Sequence, residues 1–288
     1  MNRLSPVLLY GRMIKFSHSI FALPFALSGA ALAAATHGIR PVQVAWIVVA
    51  MVAARSAAMG FNRLVDRRID ADNPRTAQRE LPSGAVSVLA VTLFVILSAV
   101  ALVGAAWQLN RLCLLLSPVA LAVVFVYSYT KRFTWASHLV LGLALALAPL
   151  GAWIAVTGQF DLPPILLGLS VMSWVAGFDI LYSCQDHDFD RKAGLYSIPV
   201  RFGLMGALRL ARVMHLLAVL FMVALGVSAG LQAVYFFGIA AITGLLVYEH
   251  RLVSPQDLTK VNTAFMTMNS LVSVAFFVFT LADLLWLG

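Results

Sequence analysis

The sequence predicts a polytopic all-α membrane protein: a single domain over residues 1–288, with nine transmembrane helices and a pseudo-repeat of two four-helix halves. Three observations predict it. The 288 residues are 61% hydrophobic and only 11% charged, far from the balance of a soluble domain. Apolar runs of about 20 residues recur from one end to the other, each long enough to cross a bilayer. The basic residues gather on alternate connections between those runs, as membrane orientation requires.

The elements follow in order. The first 14 residues, with Arg3 and Arg12, read as an amphipathic lead-in lying on the membrane surface and show no cleavable signal pattern. Spans are expected at 16–36, 43–62, 85–107, 112–130, 138–156, 164–183, 205–228, 230–249 and 264–286. The substantial loops are 63–84, 184–204 and 250–263; the connections on the other side are short. Asp161-Leu-Pro-Pro164 is an ordinary connection opening the sixth span. With the N-terminus inside, 17 of the 20 Lys and Arg fall on inner segments, against Arg40 and Arg111 outside and Arg55 within a span. That asymmetry puts the long loops on the cytoplasmic side of the inner membrane and explains most of the +8 formal charge without nucleic acid. Cys113 and Cys184 are far apart and imply neither a disulfide framework nor a zinc site.

Two acidic stretches carry the chemistry. Asn62, Asp66 and Asp70 end the second span, and Asp186 and Asp190 end the sixth. On a helix, positions four apart share a face, so each set points together. Oxygen ligands of this kind suit Mg²⁺, a hard cation that shares its shell with substrate phosphates. The sets repeat at an offset of 120 residues across four spans, which makes the repeat parallel, whereas transporters commonly use inverted ones. An offset of 124 aligns Arg55, Asn62 and Asp66 with Asp179, Asp186 and Asp190 equally well.

Other residues admit two readings. Arg55 and Asp179 lie at depth, where charge is costly, so they either form a salt bridge or line a polar pocket beneath the acidic sets. Lys131 and Arg132 are inner-side anchors or partners for a leaving diphosphate, and Arg67, Arg75 and Arg79 pose the same choice. Asp72, Glu80, Glu249 and Asp257 read as solvated span ends. His18 and His138 read as interfacial or packed polar residues, and His187 as a neighbour of ligands rather than a ligand. Asn269 is expected in a helix–helix hydrogen bond. Phe16, Phe21, Phe25 and Phe178 read as packing, with a path for an isoprenoid tail as the alternative.

Along nearly its whole length the chain resembles the UbiA superfamily of intramembrane aromatic prenyltransferases. The matching stretches run from Arg55 through Asn62, Asp66 and Asp70, from Arg75 through Arg79 to Gly84, from Tyr127 to Lys131-Arg132, and from Gly177 through Asp179, Tyr182 and Asp186 to Asp190; Gly194 to Pro199 also matches. The resemblance implies helices around a central cavity, two Mg²⁺ ions and a polyprenyl diphosphate donor. It implies Asn62, Asp66, Asp70, Asp186 and Asp190 at the metal–diphosphate site, and Arg55, Arg67, Lys131, Arg132, Asp179 and Tyr182 around the substrates. The branch it suggests acts on 4-hydroxybenzoate in ubiquinone synthesis; the Gln185–Lys192 stretch also looks like enzymes that use dihydroxynaphthoate in menaquinone synthesis. A secondary transporter of organic anions is the competing class, and the parallel repeat argues against it.

Overall fold

The computed structural model describes residues 6–286, and these are helical almost throughout. Among them nine helical segments are long and apolar enough to cross a membrane: Phe16–His37, Pro41–Asp72, Val88–Leu109, Arg111–Thr130, Ser137–Thr157, Leu162–Lys192, Ile198–Ser228, Ala233–Leu252 and Val261–Trp286. The expected spans are all present. Residues 1–5, Arg3 among them, lie outside the described residues; the described part of the lead-in forms α1 (Pro6–Met13). Its end at Met13 and Ile14 is buried against Leu81, Val86 and Val91, while Leu8 is exposed.

A 3₁₀ turn, Phe16–Phe21, leads into α2 (Leu23–His37). Then come α3 (Pro41–Asp72), α4 (Val88–Leu109), α5 (Arg111–Thr130) and α6 (Ser137–Thr157). The chain continues through α7 (Leu162–Ser183), the short α8 (His187–Lys192), α9 (Ile198–Ser228) and α10 (Ala233–Leu252). It ends with α11 (Val261–Thr263), a π-helical turn at Ala264–Met268, and α12 (Asn269–Trp286). Helix α7 packs along α6 and α9, α6 also lies on α2, α12 closes against α2 and α10, and α3 pairs with α4. Small residues allow these approaches. A Cβ at Gly29 would stand 2.4 Å from the Pro149 carbonyl oxygen, and one at Gly142 would stand 2.3 Å from that of Met172. Close backbone contact of this kind is how helices associate where no hydrophobic effect draws them together.

Three expectations are corrected. Helix α3 does not stop at 62 but runs to Asp72, carrying the acidic set on continuous helix as its four-residue spacing requires; the helix ends at Asn73-Pro74, where proline disfavours a helical predecessor. The 184–204 segment is mostly helical too, and α9 begins at Ile198 with a break at Gly203 (φ 69°) before the span proper. Glu249 is not solvated. It is fully buried, accepting from Asn269 Nδ2 at 2.7 Å, and Asn269 Oδ1 accepts from Trp174 Nε1 at 2.8 Å. His215 and Asn269 enclose the carboxylate, and His215 Nδ1 lies 3.0 Å from His250 Nε2. The expected interhelical bond of Asn269 is present. Phe21, Phe25 and Phe178 pack on Trp174, at centroid distances of 6.5, 5.0 and 4.9 Å. Asp72 and Asp257 are exposed as expected, whereas Glu80 is half-buried near Arg12.

A cavity of about 330 Å³ opens among α2, α3, α4, α5 and α6. Arg55, Asn62 and Tyr127 form its polar end, and its walls are apolar as far as Cys113 and Phe160. The space beyond α7 is filled instead by a core that includes Trp174, Met222, Tyr235 and Phe276.

Candidate functional site

Both acidic sets lie at the polar end of the bundle, and each carboxylate meets a cation. On α3, Asn62 Nδ2 donates to Asp66 Oδ2 at 2.7 Å, the i to i+4 contact that the spacing predicts. Arg132 Nη2 donates to Asp66 Oδ1 at 2.8 Å, and the same guanidinium reaches the Ser128 and Val65 carbonyls and lies over the Tyr129 ring. Asp70, nearly buried, accepts from Arg79 Nη1 at 2.8 Å on both oxygens, with Arg63 Nη1 3.6 Å away. The turn at Asn73 aims these arginines: Arg75 N donates to Asn73 Oδ1, and Thr76 Oγ1 donates to the Asp70 carbonyl.

The second set is built differently. Asp186 ends a 3₁₀ turn, and Asp190 lies in the six-residue α8. Arg75 grips Asp186 with both arms, Nε to Oδ1 at 2.9 Å and Nη2 to Oδ2 at 2.6 Å, while its Nη1 donates to the Tyr182 hydroxyl at 3.2 Å. Such bidentate pairs are the strong ones. Burial pulls the Arg75 guanidinium down, but the Asp186 hydrogen bond and charge outweigh it and hold its pKa above the ordinary value. Lys131 Nζ lies 3.6 Å from Asp190 Oδ2, an oxygen that is buried and receives no hydrogen bond. Burial likewise disfavours the Lys131 charge, yet Asp190, Asp179, Asp186 and Asp66 together raise its pKa. Adjacent residues Lys131 and Arg132 thus hold one carboxylate from each set. The loop after α8 is tied to the same place, with Tyr196 N donating to the Lys131 carbonyl at 2.8 Å and Leu195 N to the Asp190 carbonyl at 2.9 Å.

The donor set is all oxygen, and Asp190 Oδ2 is an unbonded buried acceptor, so the chemistry fits a hard divalent cation. The carboxylates are engaged with cations, however, and among the described residues no three acidic, His or Cys groups converge on a common point.

Arg55 and Asp179 do not pair with each other. Arg55 Nη2 donates to the Lys15 carbonyl at 3.1 Å, with its Nε buried and unbonded at the cavity wall. Asp179 Oδ2 instead lies 2.7 Å from His138 Nδ1. Arg67 is exposed, bonds back to the Leu64 carbonyl at 3.0 Å and meets none of the four carboxylates. His187 pairs with the exposed Asp188, not with Asp186 or Asp190. Sequence reasoning missed Lys15 and Arg63. Lys15 adopts a left-handed conformation (φ 48°), and burial together with Arg79, Arg63 and Arg75 lowers its pKa from 10.5 to about 8. Arg63 is buried, donating to the Met13 carbonyl at 3.2 Å. Its position seven residues before Asp70 was the available signal, masked by its resemblance to an inner-side anchor.

A model of the UbiA prenyltransferase family matches residues 22–271. The chain is 35% identical over 249 residues to a 4-hydroxybenzoate octaprenyltransferase of Escherichia fergusonii, covering 83% of this chain and 82% of that protein. It superposes on an apo UbiA homologue from Aeropyrum pernix K1 with a TM-score of 0.84 at 34% identity, covering 92% of this chain and 98% of the other. A UbiA homologue from Archaeoglobus fulgidus bound to GPP and Mg²⁺ shares the fold, with a TM-score of 0.71 at 21% identity over 96% of this chain and 99% of the other. The chain belongs to the UbiA prenyltransferase family.

Proposed function

We propose that this chain transfers a polyprenyl group from a polyprenyl diphosphate to a ring carbon of 4-hydroxybenzoate in ubiquinone biosynthesis. The observation that carries this reading is the meeting of four carboxylates from two distant motifs with a matching ring of cations, at the polar mouth of an apolar cavity. Its support is family membership, the names of hydroxybenzoate relatives at this identity, and a fold relative bound to GPP and Mg²⁺. The same names favour the benzoate over dihydroxynaphthoate and over transport.

In this reading Asn62, Asp66, Asp70, Asp186 and Asp190 hold two Mg²⁺ ions, which neutralise the diphosphate as it departs. Arg75, Arg79, Lys131 and Arg132 exchange carboxylate for diphosphate oxygens, with Tyr182 beside them, and spread the charge that develops on the leaving group. The apolar cavity excludes water from the allylic carbocation until the phenol ring attacks. Arg55 faces the acceptor's carboxylate, and Asp179 orients its phenol; Arg67 stands outside this assignment. The site opens to the cytoplasm, so a cysteine placed at exposed Ser83 is labelled from that side of the membrane. Product mass analysis with 4-hydroxybenzoate, dihydroxynaphthoate and donors of graded length tests the reaction. Prenylated dihydroxynaphthoate as the sole product would overturn the acceptor assignment.

A further inference from the structure

We propose that His138 is a positioning residue that holds the Asp179 carboxylate toward the acceptor and ties it to the loop that follows Asp190; this rests on the prenyl-transfer reading above. His138 stands in the first turn of α6 with no exposed surface. Its Nε2 faces the backbone amide of Ile198 at 3.4 Å. An amide N–H only donates, so Nε2 presents its lone pair and the ring's proton resides on Nδ1. That proton is given to Asp179 Oδ2 at 2.7 Å, which leaves a neutral imidazole against an anionic carboxylate. Both ring nitrogens are therefore engaged, and the imidazole touches substrate through neither. It acts through Asp179, whose side chain keeps 17% exposure and whose charge reaches Lys131.

The second arm has its own consequence. Ile198 opens α9 directly after Ser197, whose hydroxyl caps the helix by accepting from Val200 N, and Leu195 N donates to the Asp190 carbonyl at 2.9 Å. Tyr196, one residue earlier, is bonded to the Lys131 carbonyl. One buried imidazole thus joins α6, α7 and the start of α9. It connects Asp179, beside the acceptor, to the segment that sets Asp190, beside the diphosphate.

The two arms can be cut separately. In His138→Asn the side-chain amide nitrogen stands where Nδ1 stood and still donates to Asp179, while the bond to Ile198 is lost. In His138→Gln the amide oxygen reaches the Nε2 position and still accepts from Ile198, while the bond to Asp179 is lost. The expected result is that His138→Gln loses about 10- to 150-fold in kcat/KM for the aromatic acceptor, the worth of one hydrogen bond to a charged group. The donor KM should stay unchanged, and His138→Asn should remain well above His138→Gln. An active His138→Gln beside an inactive His138→Asn, or equal losses that follow melting temperature alone, would assign His138 to the fold and overturn the proposal. Imidazole ¹⁵N NMR of the wild-type chain in detergent reads the tautomer independently of catalysis, and still decides if neither variant folds. A protonated Nδ1 with a bare Nε2 supports the proposal, and the opposite tautomer or an imidazolium overturns it. A wild-type chain that prenylates no aromatic acid would refute the reaction but leave the NMR result standing.

Discussion

On the α2–α6 side of the bundle the interior positions hold Ala54, Ala58, Ala120, Ala144, Ala148 and Gly151, and the space between the helices stays open. On the α7–α12 side they hold Trp174, Met222, Tyr235, Ile242 and Phe276, and it is filled. Both sides are built of apolar helices of similar length, so hydrophobicity does not distinguish them. Side-chain volume does. Interiors pack to the density of organic crystals, and a void persists only where inward residues are too small to meet across it. The polar groups differ in the same sense. At the hollow side's mouth they are cations and carboxylates reached from several loops, and Arg75, Lys131, Arg132 and Asp66 are partly exposed. Inside the filled side, Glu249 Oε1, Asn269 and Trp174 form a fully buried chain of hydrogen bonds that holds α7, α10 and α12 together, with Glu249 Oε2 left without a donor. One arrangement is placed to exchange partners, the other to keep them.

The sharpest break of this contrast is at the mouth. Asp66→Ala and Asp190→Ala should each lower prenyl transfer by a hundred- to a thousandfold or more, roughly the cost of removing one electrostatic stabiliser of a transition state. Elution and melting in detergent should stay near wild type, and chelation should abolish activity with recovery on added Mg²⁺. Near-normal turnover in either variant would separate the acidic sets from the chemistry.

Filling the hollow comes next. Ala58→Leu places three more carbons in the cavity wall and should cost about 10- to 200-fold in kcat/KM for the donor, the range for a misfit in an apolar pocket. Stability should rise or hold, because a void is filled, and a loss of stability without a kinetic change would mean that the cavity is not the donor's path. Arg55→Ala should cost about 10- to 150-fold, chiefly in acceptor KM, the value of a hydrogen bond to a charged group. A large donor defect with an unchanged acceptor KM would move Arg55 to the diphosphate.

On the filled side, Asn269→Ala strands Glu249 and Trp174 and should lower stability by about 1–3 kcal/mol per stranded group. Glu249→Gln can keep the Asn269 contact and should cost less. Both variants should leave the two substrate KM values in place once folded.

The smallest effect concerns Lys15. Its folded pKa, pushed down to about 8 from 10.5, means that the folded state binds this proton less firmly than the unfolded chain does. Stability should therefore rise slightly as pH climbs through the window between those two values, and Lys15→Met should flatten that rise. Melting curves across the window check it; a fall with pH that disappears in Lys15→Met would contradict the sign.

Much of this was legible in sequence. Span length, the Asn62–Asp66–Asp70 face and the bond of Asn269 follow from helical periodicity and from the cost of bare polar groups in lipid, which act along one helix at a time. The second acidic set was legible as residues but not as shape. A four-residue spacing reads as one α-helical turn, whereas Asp186 and Asp190 straddle a change from 3₁₀ to α-helix. Two offsets of the repeat fitted equally well because the acidic and amide residues recur every four positions, and that spacing cannot choose a register.

What the sequence determined by itself was the membrane architecture, the family and the positions of the two acidic sets, because each is written in local composition and spacing. Tertiary structure alone decided the partners. Arg55 and Asp179 both needed compensation at depth, from each other or from a polar pocket, and the sequence left both readings open. The fold instead gives Arg55 the Lys15 carbonyl and Asp179 the His138 ring. Glu249, ending a helix beside His250 and Arg251, had the signature of a solvated terminus, but α7, α9 and α12 converge on it. Burial of a charge obliges it to find a partner, and the obligation can be read along the chain; which partner arrives depends on how elements 20 to 95 residues apart cross, and no one-dimensional pattern carries that.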